Sequence, residues 1–354
     1  MSSARRDVTI GDVASRAGVS RAQTARALGG YGAVSEAVLS RVLVAAEELG
    51  YRANSLARSV STGRSQSVGV VVGDIENPFF ALSVRGISDT LRAAGYDVVL
   101  MNTGESHELE VDAVRALDGK RVDGFLVAPA LASEFAHLQA LVDAGRPLVL
   151  FDRDVPGLAA PSVVVDVEAA ARELTDALVA AGHRRIGFVS TLTSSAARWN
   201  EDPQVAHTPV GRRLLGITGA LRVHGLEMRA EDVRVGARGA EDIRRHVREL
   251  VTGDAPVTAL LASDAVIAVA GLEELRCLGL SVPGDVSVAV FDDPPWAGLI
   301  SPPLTVVSQP VLETGVAAAR LLLEAMAGRA SAEPPSLFAH FIHRNSIGPA
   351  REVE

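Results

Sequence analysis

The sequence predicts an α/β protein preceded by a small all-helical head. Three observations carry that reading. Near the start of the chain, Thr9 with Asp12 and Ser20 with Gln23 stand at capping-box spacing on either side of Gly18. From residue 68 onward, short continuous apolar runs alternate with helical periodicity, the pattern of parallel strands covered on both faces. The alternation starts afresh after Asp166, which gives a second α/β unit.

The head reads as three helices. Thr9 opens the first, and Gly18 supplies the permissive backbone of a tight turn. Ser20 opens a second helix over about 21–28, and such a pair forms a helix-turn-helix whose second helix fits the major groove of DNA. On that helix Arg21, Ala22, Ala25 and Arg26 share one face, while Thr24, Ala27 and Leu28 lie behind it. Arginine can fork onto guanine and alanine can touch a thymine methyl. Ser35 opens a third helix with Val38, Val42, Ala45, Ala46 and Leu49 on one face, and Gly50 stops it. The plainer reading is a structural three-helix unit with solvated arginines. A short helical patch over 51–60 and a polar linker over 61–67 follow.

In the first α/β unit, residues 68–72 read as a buried strand, followed by a helix over about 79–94 and a strand over 96–101. Further strands fall at 124–127 and 148–151. In the second unit a helix runs to Ala181, a strand covers 186–190, helices lie near Arg213 and Ile243, and strands lie at Leu260 and over 286–291. Residues 191–209 form a long polar loop with Trp199 and His207, either a wall of the cleft or a surface loop.

Charge and composition narrow the function. The net charge is −9, yet residues 1–64 hold nine arginines against five acids, net +4, leaving −13 for the rest. Phosphate contact needs local positive charge only, and an acidic body discourages nonspecific wrapping. No apolar run is long enough for a membrane span, and the first residues lack a signal-peptide core, so export is not expected. The single cysteine, Cys277, excludes a disulfide framework and reads as core filler. No phosphate loop, dinucleotide fingerprint, zinc-protease motif or nucleophile elbow is present. No enzyme activity, cofactor or metal is expected.

The pieces Val8-Thr9-Ile10, Gly18-Val19-Ser20-Arg21, Ala46-Glu47-Glu48-Leu49-Gly50-Tyr51, Leu56-Ala57-Arg58-Ser59, Asn77-Pro78-Phe79-Phe80, Gly182-His183-Arg184-Arg185-Ile186-Gly187 and Phe291-Asp292-Asp293 occur in that order. In this order and spacing the chain resembles the lactose-repressor (LacI/GalR) family of bacterial transcription regulators. The resemblance implies a bilobed core like that of periplasmic sugar-binding proteins, with the chain crossing between lobes near Val165, Pro294 and Ala327. The expected division is 1–52 for the helix-turn-helix head, 53–67 for hinge helix and linker, and 68–354 for the effector-binding and dimerisation core. The first lobe then takes about 68–165 and 294–327, and the second about 166–293 and 328–354.

The resemblance also implies a cytoplasmic homodimer on a palindromic operator, controlled by a small molecule, a sugar or sugar derivative, between the lobes. A purine-responsive regulator, or a solute-binding module with no transcriptional role, are the other readings. The DNA-binding candidates are Thr9, Ser20, Arg21, Ala22, Gln23, Ala25, Arg26, Tyr31, Asn54, Leu56, Ala57 and Val60. Gln23 and Thr24 depart from the family's usual Thr and Val, and Val60 stands where the family has a leucine wedge for the minor groove. The effector candidates are Phe79, Phe80, Asp152, Arg213, Ser263 and Asp292. Arg213 matches the family's effector-binding arginine, and Ser263 replaces a common asparagine. Phe79 or Phe80 could equally anchor a helix, and the two aspartates could cap helices or bridge lobes.

Overall fold

The computed structural model describes residues 8–29, 32–51, 64–192, 199–202, 205–237, 239–329 and 333–352. The chain divides into two units, residues 1–67 and 68–354. In the first, α1 (Ile10–Ala17), α2 (Arg21–Gly29) and α3 (Glu36–Glu48) pack around Val13, Ala17, Ala27, Val42, Ala45 and Ala46. Gly18 takes the left-handed conformation, φ +65°, that ends α1. Gly50 does the same after α3, at φ +63°. Ser35 precedes α3 in extended conformation but its side chain makes no cap bond.

The second unit is built on two sheets of like topology. In the first half, β1 (Ser67–Val72), α4 (Pro78–Ala93), β2 (Asp97–Asn102), α5 (His107–Gly119), β3 (Gly124–Val127), α6 (Ala136–Asp143), β4 (Leu148–Phe151) and β5 (Ser162–Val163) give the strand order β2-β1-β3-β4-β5. A short strand β6 (Val165–Asp166) leads out to α7 (Glu168–Ala180), β7 (Ile186–Val189), α8 (Pro209–Val223), β8 (Val233–Arg234), α9 (Gly239–Thr252), β9 (Ala259–Ala262), α10 (Ala265–Cys277), β10 (Ser287–Phe291) and β11 (Thr305–Ser308). Their order, β8-β7-β9-β10-β11, repeats that of the first sheet strand for strand. The chain then forms α11 (Val311–Met326), β12 (Leu337–Phe338) and β13 (His340–Ile342), the last pairing antiparallel with β11.

Alternate residues of the strands feed two cores, which is why the strands are apolar throughout. Val149 and Phe151 of β4 face one cluster, and Leu148 and Leu150 the other. Ala289 and Phe291 of β10 divide from Val288 and Val290 in the same way. His183 bolts the second sheet at its lower end: Nδ1 lies 2.8 Å from Thr258 Oγ1 and Nε2 lies 2.9 Å from Ser287 Oγ. Burial holds its imidazole below the ordinary histidine range. The Gly182–Gly187 motif is therefore structural.

Three expectations need correction. The crossing expected near Pro294 falls later, because β11 pairs in parallel with β10. The chain returns to the first lobe only at Gln309-Pro310, and α11 then packs on α4 beneath the first sheet. The last crossing likewise follows β12, which pairs with β6 between the lobes. Cys277 is exposed rather than core filler, since α10 buries the face bearing Ile267, Gly271, Glu274 and Leu275 instead. No helix among the described residues is long and apolar enough to cross a membrane.

The α4–α11 contact is backbone-close. A Cβ on Gly315 would lie 2.1 Å from the carbonyl oxygen of Ser83. Gly315→Ala should therefore destabilise the core by about 1–3 kcal/mol in urea unfolding, the cost of forcing packed elements apart.

Candidate functional sites

In the head, both capping boxes form. The Thr9 and Asp12 side chains exchange hydrogen bonds with each other's backbone N–H. The Ser20 N–H donates to Gln23 Oε1 at 3.1 Å, and the Gln23 N–H to Ser20 Oγ at 3.2 Å. Thr9, Ser20 and Gln23, proposed for DNA, thus have their oxygens committed first to helix ends. Arg21 and Ala22 are exposed, Ala25 and Arg26 half-buried, and Thr24 and Ala27 buried, so the face assignment holds. Arg21 lies against α1, where a Cβ on Gly11 would meet its Nη2 at 2.6 Å. The Arg26 Nε donates to the Ala22 carbonyl at 3.2 Å, which turns the guanidinium back along the helix. Arg26→Ala should cost about 1–3 kcal/mol on specific DNA and much less on random sequence. Equal losses in fluorescence anisotropy on both DNAs would reduce Arg26 to a phosphate contact. Tyr31, Asn54, Leu56, Ala57 and Val60 lie outside the described residues.

In the core, the carboxyl ends of both sheets face one cleft, where ligands of such sheets bind. All six effector candidates line it: Phe79, Phe80, Asp152, Arg213, Ser263 and Asp292. They stand at equivalent places in the two lobes. Asp152 follows β4 and Asp292 follows β10, strands that correspond in the two sheets. Both take the left-handed backbone, at φ +67° and +79°. Each N–H continues the ladder to the next strand, Asp152 to Val163 at 3.0 Å and Asp292 to Val307 at 2.8 Å. The strand ends at Asp because a short polar side chain tolerates that turn.

Burial dominates the electrostatics. It raises the Asp152 carboxyl to about 6 against the pull of Arg153. Burial likewise raises Asp292 and Asp264, opposed for Asp292 chiefly by Arg213 and for Asp264 chiefly by the Ile267 N–H. Arg213 projects from α8, is 6 % exposed, donates from Nη1 to the Ser263 carbonyl at 2.7 Å and lies 5.1 Å from the Phe291 ring centroid. Its Nε is buried without a hydrogen-bond partner in the protein. Ser263 Oγ turns to Asp264 at 3.1 Å. Asp264 in turn caps α10 through the Val266 and Ile267 N–H groups. Phe79 and Phe80 stack edge to face, 5.4 Å between centroids, and both belong to the first core as well as the cleft wall. Asp293 points away and pairs with Arg344 at 2.8 and 2.7 Å, as strand alternation requires.

Sequence reasoning missed Arg153, Glu105 and Gln309. Arg153 Nη1 lies 2.8 Å from Glu105 Oε2 and donates to the carbonyls of Pro129 and Ala130. Gln309 Nε2 donates to Asp292 Oδ1 at 2.5 Å. The signal for Arg153 was its place beside Asp152 at a strand end. Glu105 and Gln309 gave none, because only the fold brings Glu105 to the cleft and Gln309 behind Asp292. In the 191–209 loop, Thr191, Leu192, Thr208 and Pro209 line the cleft. Trp199 packs on the second-lobe core and His207 is exposed.

A helix-turn-helix head joined to two matched α/β lobes around a buried polar cleft defines a ligand-responsive DNA-binding regulator. Residues 9–54 match the model of bacterial regulatory proteins of the lacI family, and residues 65–342 match that of periplasmic binding proteins and the sugar-binding domain of the LacI family. The chain belongs to the LacI family, whose members are transcriptional regulators and not enzymes. It is 31 % identical to catabolite control protein A of Priestia megaterium, over 90 % of this chain and 93 % of that one. It is 32 % identical to the transcriptional repressor CytR of Escherichia coli, over 91 % and 90 % respectively. Among solved structures, a complex of the transcriptional regulator CelR with cellobiose superposes with a TM-score of 0.68 at 30 % identity, covering 96 % of this chain and 99 % of that one.

Proposed function

We propose that the chain is a cytoplasmic homodimeric repressor whose affinity for a palindromic operator is set by a sugar or sugar derivative held in the cleft. The observation that carries the effector class is the supply of acceptors. Asp152, Asp264, Asp292 and Glu105 surround the cleft, and hydroxyls are the small-molecule groups that donate to several carboxylates at once. The unpartnered Arg213 Nε supplies a donor for a hydroxyl or ring oxygen, and Phe79 and Phe80 form the apolar wall. A purine offers fewer donors to so many oxygens. The relative solved with cellobiose supports the same class.

Gln309 supports a route for signalling. It stands at the return crossing and donates to Asp292, so a ligand hydroxyl on Asp292 acts on the segment joining the lobes. Coupling of about 1–3 kcal/mol suffices to shift operator occupancy. A homodimer suits a palindrome, since one small head binds weakly alone.

The test is a thermal-shift screen of pentoses, hexoses, disaccharides and purines, followed by calorimetry. A sugar should raise the melting temperature. Asp292→Asn should leave operator affinity within about threefold, under ~1 kcal/mol, and weaken the effector response at least about tenfold. A purine hit with no sugar hit would overturn the effector class. Unchanged effector affinity in the variant would make Asp292 structural.

A further inference from the structure

We propose that His107, Glu110 and His137 form a binding site for one divalent transition-metal ion of the zinc class, within the first lobe. His107 and Glu110 lie one turn apart at the start of α5, and His137 lies in the first turn of α6. One nitrogen or oxygen from each lies within 4.8 Å of the other two. Zinc bound at about 2.0–2.1 Å to each ligand needs those atoms roughly 3.3 Å apart, within reach of small side-chain rotations. Two imidazoles and one carboxylate suit zinc and its transition-metal neighbours; magnesium and calcium take oxygen ligands instead.

One further observation points to a ligand. The Nδ1 of His107 is buried with no hydrogen-bond partner, while its Nε2 lies 3.6 Å from Glu134 Oε2. The unpaired buried nitrogen is free to take an ion, and Glu134, 3.6 Å from Nε2 and just beyond hydrogen-bond reach, is placed to close on the other nitrogen as its orienting partner. Glu110 is held differently: Oε2 accepts the Ala130 N–H at 2.5 Å, and Oε1 is hydrogen-bonded to His137 Nε2 at 2.6 Å, a bond that a bound ion would replace. The Glu110 side chain is 1 % exposed and that of His137 8 %, while that of His107 is 21 % exposed and leaves a way in from solvent. The sequence hid it, since His137 is far along the chain from the His107–Glu110 pair and no compact metal motif exists.

The site bears on the effector cleft through one short link. Glu110 holds Ala130, whose carbonyl accepts from Arg153, and both residues line the cleft. An ion on Glu110 would pin this cleft wall without touching the effector.

The experiment is calorimetric titration of metal-stripped full-length protein with zinc chloride, with magnesium chloride as control, and visible absorption of the cobalt-loaded form. One zinc per chain should bind with a dissociation constant of about micromolar or tighter, magnesium should not compete, and the melting temperature should rise. His107→Asn should weaken zinc binding by more than about tenfold and remove the cobalt bands. The metal-free melting temperature should fall only slightly in this variant, because His107 Nδ1 bonds to nothing in the protein and its Nε2 makes only a 3.6 Å contact with exposed Glu134. Glu110→Gln keeps an acceptor for Ala130 and should weaken zinc similarly. No zinc binding at about 100 micromolar, or the same affinity in both variants, would overturn the proposal, the second by placing the ion on other histidines.

Discussion

Arg213→Met should destabilise the ligand-free core by about 3–5 kcal/mol at neutral pH and abolish the effector response, the cost of removing one partner from a buried charge cluster. The arginine is 6 % exposed, stacks on Phe291 and opposes the burial of Asp292, Asp264 and Asp152. Methionine fills similar space and keeps the apolar stem. It removes the cation and leaves the Ser263 carbonyl without its donor. The deficit should depend on pH with a defined sign. Without the cation, the carboxyls rise further above their unfolded values. An acid raised in the folded state contributes stability at low pH that is lost as pH rises through the folded value. The variant should therefore approach wild type near pH 5 and fall furthest behind at pH 7.5 in urea unfolding. Equal stability at pH 7.5 would show that Arg213 does not hold the cluster.

Much of this arrangement was legible in the sequence because the strands are short and doubly buried. Gly124–Val127 and Leu148–Phe151 were read to the residue, since both of their faces feed cores. The crossing that the resemblance implies near Pro294 falls later for a local reason. Pro294-Pro295 looks like a break, but it opens a single tight turn, Pro295–Gly298, and the chain then lays down β11 on the same sheet. That strand, Thr305–Ser308, is no shorter than the two legible ones, but it is set between Pro303 and Pro310, and those flanking breakers hide it. The effector residues were legible where they end strands, at Asp152 and Asp292. Those joined to the cleft only by tertiary contact, Glu105 and Gln309, were not.

The matched positions of Asp152 and Asp292 explain why the cleft sits where it does. Each lobe turns its fourth strand through a left-handed aspartate whose N–H bonds to the fifth strand. The carboxyls are then carried into the cleft by the backbone itself. The lobes differ in what answers them. Asp152 has Arg153 of its own lobe at 3.4 Å, while Asp292 has Gln309 at the crossing and Arg213 across the sheet end. Only the second lobe's aspartate is thus wired to the segment between lobes, and Asp292→Asn should change signalling as well as affinity.

Asp152 supplies the complementary case, in which removing a charge should stabilise the protein and weaken its function. Its carboxyl stands at about 6 in the folded core, raised by burial from 3.8. A raised acid contributes stability that is complete below the unfolded value and disappears as pH climbs through the folded one. Ligand-free wild type should therefore lose stability between about pH 4 and 7, by up to roughly 3 kcal/mol from this group, at about 1.4 kcal/mol per unit. Asparagine tolerates the same left-handed backbone and carries no charge to desolvate. Asp152→Asn should lack that part of the pH slope and melt higher than wild type at pH 7.5 when ligand-free, while binding the effector about tenfold or more weakly. The two effects have opposite signs, which separates them from general damage. The readout is the melting temperature of both proteins from pH 5 to 8, with and without effector. A variant less stable than wild type at pH 7.5 would mean that the Asp152–Arg153 pair stabilises the empty cleft, and that Asp152 is not a strained group held in readiness for a ligand.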